Sequence, residues 1–180
     1  MKNKHEIQQE VEQWLQDIVI GLQLCPFAKA PSQKQQVRFF VSEAKTEEDL
    51  IEELIKECQL LDKDAHIETT IMIIPYLLSD FFDYSQYLNW AEQTLKQYQW
   101  RGIYQIASFH PHYQFAGTNT SDPQNLTNRS PYPLLHLLRE NSLANILDRF
   151  PDSSTIPEKN IQTMTQLSEE QIHRYFHYLK

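Results

Sequence analysis

A chain of 180 residues, 41% hydrophobic and 12% aromatic, is long enough to bury a core and reads as one domain spanning 1–180. The net charge of −8 opposes a broad footprint for nucleic acid or anionic lipid, and the three glycines build no G-x-x-x-x-G-K or G-x-G-x-x-G phosphate cradle. No apolar run approaches the ~20 residues of a membrane helix, and "MKNKHEIQQE" lacks a secretion signal's apolar core, so cytoplasmic residence without membrane contact is expected.

In chain order, Ile7, Val11, Trp14, Ile18 and Leu22 recur at helical spacing and predict a helix over residues 4–23, ended by Pro26. "QVRFFVS" (36–42) predicts a strand. Thr46 with the acids Glu47, Glu48 and Asp49 marks a helix start, and Leu50, Leu54, Cys58 and Leu61 continue its apolar face. "IETTIMII" (67–74) predicts a second strand. Tyr84, Leu88, Ala91, Leu95 and Tyr98 trace a helix closed by Gly102, and "IYQIASF" (103–109) a third strand. Helices of this length between strands favour parallel crossovers. The expected class is therefore α/β: a small, mostly parallel sheet with flanking helices and a helical C-terminal third. A ferredoxin-like α+β sandwich is the alternative if "HYQFAG" pairs back as a strand. In the C-terminal third, Ser130 and Pro131 open one helix, Ser142 caps another, "PDSSTIPEKN" is a loop and Ser168–Gln171 form a capping box.

The segment "SFHPHYQFAGTNTSDPQNLTNRSPYP" (108–133) is long, nearly uncharged and rich in aromatics and amides. Such composition argues for order rather than disorder, and a long ordered connection at the carboxyl edge of the strands is the expected place for a pocket. His110 is the first candidate for acid–base chemistry. Cys25, in "LCPFA", is the second, as a nucleophile, although a helix C-terminus does not lower a thiol pKa. A zinc site from Cys25, His110 and His112 lacks any regular ligand spacing, so no metal is assigned. The two cysteines are expected as free thiols, with Cys58 in the core. Asn119, Asn125 and Asn128 match glycosylation triplets and are read as ordinary polar residues. A helix from Pro131 would place Tyr132, His136, Arg139 and Glu140 on one stripe and Leu134, Leu137 and Leu138 on the other. Arg129 and Ser130 before its N-terminus would grip a carboxylate or phosphate, with Asn125 and Asn128 as added donors.

"GLQLCPFA", "SFHPHYQFAG" and above all "NLTNRSPYPLLHLLRE" together resemble a bacterial family described as domain of unknown function 1415, over nearly the whole chain. The resemblance implies a single-domain cytoplasmic bacterial protein and supplies no activity, cofactor or catalytic residue. The residues themselves lead to an enzyme performing transfer or hydrolysis on a small anionic metabolite. The alternative is a non-catalytic module binding a small anion or a partner. Cofactors and oligomeric state are not read from the sequence.

Overall fold

A reciprocal cap sets the first turn of the chain: the Asn3 side chain accepts the Glu6 amide at 2.9 Å, and the Glu6 carboxylate accepts the Asn3 amide at 2.7 Å. The computed structural model, which describes residues 2–148 and 153–179, carries this helix, α1, over Lys4–Trp14 and continues it as a π-helix over Leu15–Ile20. The helix expected over 4–23 thus ends early, in a wider turn. The Gly21 amide bonds the Gln16 carbonyl at 2.9 Å, and a Cβ at Gly21 would stand 2.3 Å from the Asp17 carbonyl oxygen. Only glycine fits that approach. A short helix, α2 (Lys29–Gln33), follows the "LCPFA" turn.

Strands β1 (Val37–Val41), β2 (Thr69–Ile73) and β3 (Tyr104–Phe109) and helices α3 (Glu47–Lys63) and α4 (Phe81–Gln97) fall within a few residues of expectation. Thr46 caps α3 by accepting the Asp49 amide at 3.1 Å. The Asp80 carboxylate caps α4, accepting the amides of Phe82 and Asp83. Gly102 does not close α4. The left-handed residue there is Gln99 (φ 62°), and Gly102 (φ 82°) turns the chain into β3.

The largest departure lies at Leu134–Arg139. No helix starts at Pro131; these residues form β4, inserted between β2 and β3 in the order β1-β2-β4-β3. β1 and β2 pair in parallel, whereas β4 runs antiparallel to both neighbours, so the sheet is mixed and not mostly parallel. The "HYQFAG" residues form no strand, which removes the basis of the ferredoxin-like alternative. The physical reason is burial. Leu134, Leu135 and Leu137 are fully buried, and a central strand covered on both faces loses the period-two pattern that marks strands. With periodicity gone, leucine's helix propensity misleads.

Of the expected helical C-terminal third, the part beyond β4 is helical, with α5 (Glu140–Leu147), α6 (Ile156–Gln166) and α7 (Glu169–Tyr175). Ser142 lies within α5 rather than at its cap. "PDSSTIPEKN" is not all loop, since α6 begins at Ile156, while its Pro151 and Asp152 lie outside the described residues. Ser168 and Gln171 make the expected capping box at α7.

Helices cover both faces of the sheet. On one, α3 and α4 set Leu50, Leu54, Tyr84 and Leu95 against Met72, Leu135 and Leu137. On the other, α1 with its π-helical extension, α6 and α7 set Ile7, Val11, Ile18, Met164 and Phe176 against Ile71, Ile73 and Leu134. No helix among the described residues is long and apolar enough to cross a membrane.

Candidate functional site

The 108–133 segment is ordered and packed, and its polar groups bind one another. Buried Asn125 is its hub: Oδ1 accepts the Phe115 amide at 2.9 Å and the Thr118 hydroxyl at 3.0 Å, and Nδ2 donates to the Asn119 carbonyl at 2.7 Å. Asn128 closes the segment by donating to the Ser108 carbonyl at 3.0 Å. The Arg129 guanidinium donates to the carbonyls of Tyr113 (3.3 Å) and Thr120 (2.7 Å), and the buried Ser130 hydroxyl to that of Tyr132 (2.6 Å). Arg129 thus staples a loop, and the helix terminus it was expected to flank does not exist. The geometry expected for anion binding is absent because the chain passes from Arg129 through a bend at Pro131 and Tyr132 into strand β4, with no helix between.

His110 has no exposed surface. Its Nε2 donates to the Leu78 carbonyl at 2.9 Å, and its Nδ1 accepts the His112 amide at 3.0 Å, which defines a neutral Nε2–H tautomer. Phe81 and Tyr84 flank the ring at 5.3 and 5.0 Å. Burial is the chief cause holding its pKa below the ordinary histidine value. Both nitrogens are therefore committed to backbone partners, which suits a structural role. His112 is exposed, and no metal-binding cluster of three or more ligand residues occurs among the described residues.

A different constellation forms on the sheet face beneath α1. Strand register aligns Phe39, Ile71, His136 and Ala107 in one row and Val37, Thr69, Leu138 and Gln105 in the next. Alanine leaves space beside His136, and over this floor lies a cavity of about 250 Å³. Its roof comes from Trp14, Leu15 and Val19 of α1 and the π-helix, from Cys25 and Phe27, and from Leu143 and Ile146 of α5. The π-helix matters here: it stands over the cavity, and such wide turns recur at functional sites. The cavity extends over the amino-terminal half of β1 and β2 and along β3 from Gln105 to its last residue, Phe109, and of the 108–133 segment only Phe109 lines it.

His136 is half-buried, and its Nε2, itself without accessible surface, has no hydrogen-bond partner. Burial pushes its pKa down to about 4, so the ring is neutral at pH 7. Cys25 is half-buried, and burial raises its thiol pKa, an effect partly offset by hydrogen bonds from the Phe27 and Ala28 amides. Arg139 also borders the cavity, but its guanidinium donates to the carbonyls of Leu61, Asp64 and Ile67 and so ties β4 to the end of α3. Tyr132 lies elsewhere, in a cleft beside α7, donating to the Glu10 carboxylate at 2.7 Å. Cys58 is fully buried, its thiol pushed up to about 12 mainly by burial.

Of the residues singled out in the sequence, the fold gathers Cys25, His136 and Arg139 around one cavity and leaves His110, Asn125, Asn128, Arg129, Ser130 and Tyr132 outside it. Trp14, Phe27 and Ala107 were not legible as site residues. One signal was available: alanine is a small residue in the otherwise bulky "IYQIASF", a hint of space above that strand. The family model described as Protein of unknown function (DUF1415) matches residues 6–174. No curated protein and no solved structure matches.

Proposed function

The chain belongs to the DUF1415 family, whose description assigns no activity, and on the geometry of the site we propose that the protein binds a small molecule in the cavity over β4. The observation that carries this reading is the unpartnered Nε2 of the half-buried His136 on the floor of a mostly apolar cavity. Leaving a buried polar atom without a partner costs about 1–3 kcal/mol, which a ligand hydrogen bond recovers. An apolar pocket with few convergent polar groups is the usual form of a ligand site. The small anionic metabolite expected from the sequence gives way to a neutral ligand, because a desolvated anion would meet a neutral imidazole and an arginine already bound to carbonyls.

Filling the cavity tests the reading. Ala107→Leu should leave the protein folded and equally or more stable, by roughly 0.5–2 kcal/mol. A thermal-shift screen of small uncharged compounds, aromatic and aliphatic, should find ligands that stabilise the wild type and not this variant. A hit that stabilises both equally, or a screen with no hit, overturns the proposal.

A thiol-dependent enzyme is the second reading, favoured by one observation: Cys25 lines the same cavity, and the nearby Phe27 and Ala28 backbone partly offsets the upward push of burial on its thiol. Against it, burial disfavours both the thiolate of Cys25 and the imidazolium of His136, the two charges that proton transfer between them would create. Binding therefore ranks first. Cys25 should be alkylated by iodoacetamide at pH 7.5 more slowly than free cysteine. Faster alkylation than free cysteine would instead favour the enzyme.

A further inference from the structure

Building on the cavity reading, we propose that the ligand is an uncharged aromatic molecule of one or two rings whose single hydroxyl or ring N–H bonds the imidazole of His136. Three properties of the enclosure converge on this class. The first is its aromatic wall. Trp14 and Phe109 meet edge to face at 5.1 Å and 74°, Phe109 lies 6.4 Å from the His136 ring, and Phe27 joins them. The Trp14 Nε1 already donates to the Arg129 carbonyl at 3.0 Å, so the indole offers the cavity only apolar surface. Quadrupoles of such rings favour a flat aromatic guest in edge-to-face or offset contact over an aliphatic one of equal size.

Size is the second property. A dry apolar cavity of about 150 Å³ accepts benzene. The 250 Å³ here leaves room for a substituent or a second fused ring.

Third is the polar complement. The Thr69 hydroxyl donates to the Leu137 carbonyl at 2.5 Å, and the Arg139 guanidinium is bound to backbone carbonyls. Glu68 borders the same space and disfavours an anion. His136 remains as the half-buried group whose Nε2 has no hydrogen-bond partner. A neutral imidazole offers one donor and one acceptor. A hydroxyl or ring N–H can donate to the acceptor nitrogen, while a purely hydrocarbon ring leaves it orphaned.

The test uses the full chain with five probes: phenol, indole, toluene, cyclohexanol and benzoate. Affinities come from ligand-observed NMR titration. Phenol and indole should bind about tenfold more tightly than toluene, the worth of one hydrogen bond, and more tightly than cyclohexanol and benzoate. The ¹⁵N shifts of the His136 ring should move on adding phenol to the wild-type protein, a readout that needs no variant. His136→Leu should keep toluene binding and lose the preference for phenol, and Ala107→Leu should lose every probe. Cyclohexanol or benzoate binding as tightly as phenol would overturn the aromatic, uncharged class while leaving the cavity as a ligand site. Unmoved His136 ring shifts in phenol-saturated protein would overturn the assigned hydrogen bond. Absence of binding by all five probes, together with an empty screen of aliphatic compounds, would remove the cavity reading itself.

Discussion

His110→Ala should lower the unfolding free energy by about 3–5 kcal/mol, the sum of a large-to-small core substitution and two stranded backbone groups. The ring is fully enclosed between Phe81 and Tyr84, and its loss would leave the Leu78 carbonyl and the His112 amide unpaired. Leu78 adds to the effect. It is a buried leucine at φ 56°, in the left-handed region that costs most residues free energy, and the imidazole bond helps hold it there. Because domains of this kind are stable by only about 5–15 kcal/mol, the variant should show a urea midpoint shifted far toward zero. His110→Gln, which retains an N–H able to reach the Leu78 carbonyl, should recover part of the loss. If His110→Ala unfolded at the wild-type urea concentration, the structural role would be wrong, and acid–base chemistry at this residue would return as its explanation.

Replacing His136 should act in the opposite direction. Leucine of similar volume removes a buried nitrogen without a partner, so His136→Leu should gain about 1–2 kcal/mol at pH 7. The wild-type protein should also be acid-sensitive in a defined window. The ring ionises near pH 4 when folded and near 6.5 when unfolded, so between those values the unfolded chain binds more protons. Stability is therefore intact above pH 6.5 and declines as pH falls to 4, by about 3 kcal/mol from this group at 1.36 kcal/mol per unit. His110, whose pKa is also lowered, acts with the same sign. Urea denaturation at pH 7 and pH 4.5 measures both effects. The His136→Leu variant should be the more stable protein and should lose less on acidification. Equal pH dependence of the two proteins would mean that His136 is not held neutral by the fold. A residue whose removal stabilises the protein while weakening ligand binding marks a site kept at a cost in stability.

Caps, turns and amphipathic faces could be read without a fold because each is decided within a few residues. Thr46 reaches the amide three residues on, Ser168 and Gln171 exchange bonds across one turn, and the apolar faces of α1 and α3 follow from spacing alone. The 108–133 segment was legible as ordered for the same reason: its amides and aromatics satisfy one another locally, through Asn125 above all. Its place in the protein was not legible. Each of its polar side chains had two equally sensible uses, holding a ligand or holding the loop. The choice depended on whether Leu134–Arg139 was helix or strand.

That element decided most of what followed. As a helix it would have displayed Arg129 and Ser130 at a dipole terminus; as the strand between β2 and β3 it makes them loop staples and turns His136 into the floor of a cavity. The amino-acid sequence by itself determined the chain's charge, the strands β1, β2 and β3, the helices α1, α3 and α4 to within a few residues or a turn, and the Thr46 cap of α3, all through interactions spanning at most a few turns. Only the tertiary structure decided that Cys25 and His136, 111 positions apart (136 − 25) in the chain, share one enclosure. The reason is that a central strand is specified by its neighbours in the sheet and by what covers its two faces, and those partners, Ile71 and Ala107 beside it, Trp14 and Val19 on one face and Tyr84 and Leu95 on the other, lie on segments far away in the chain.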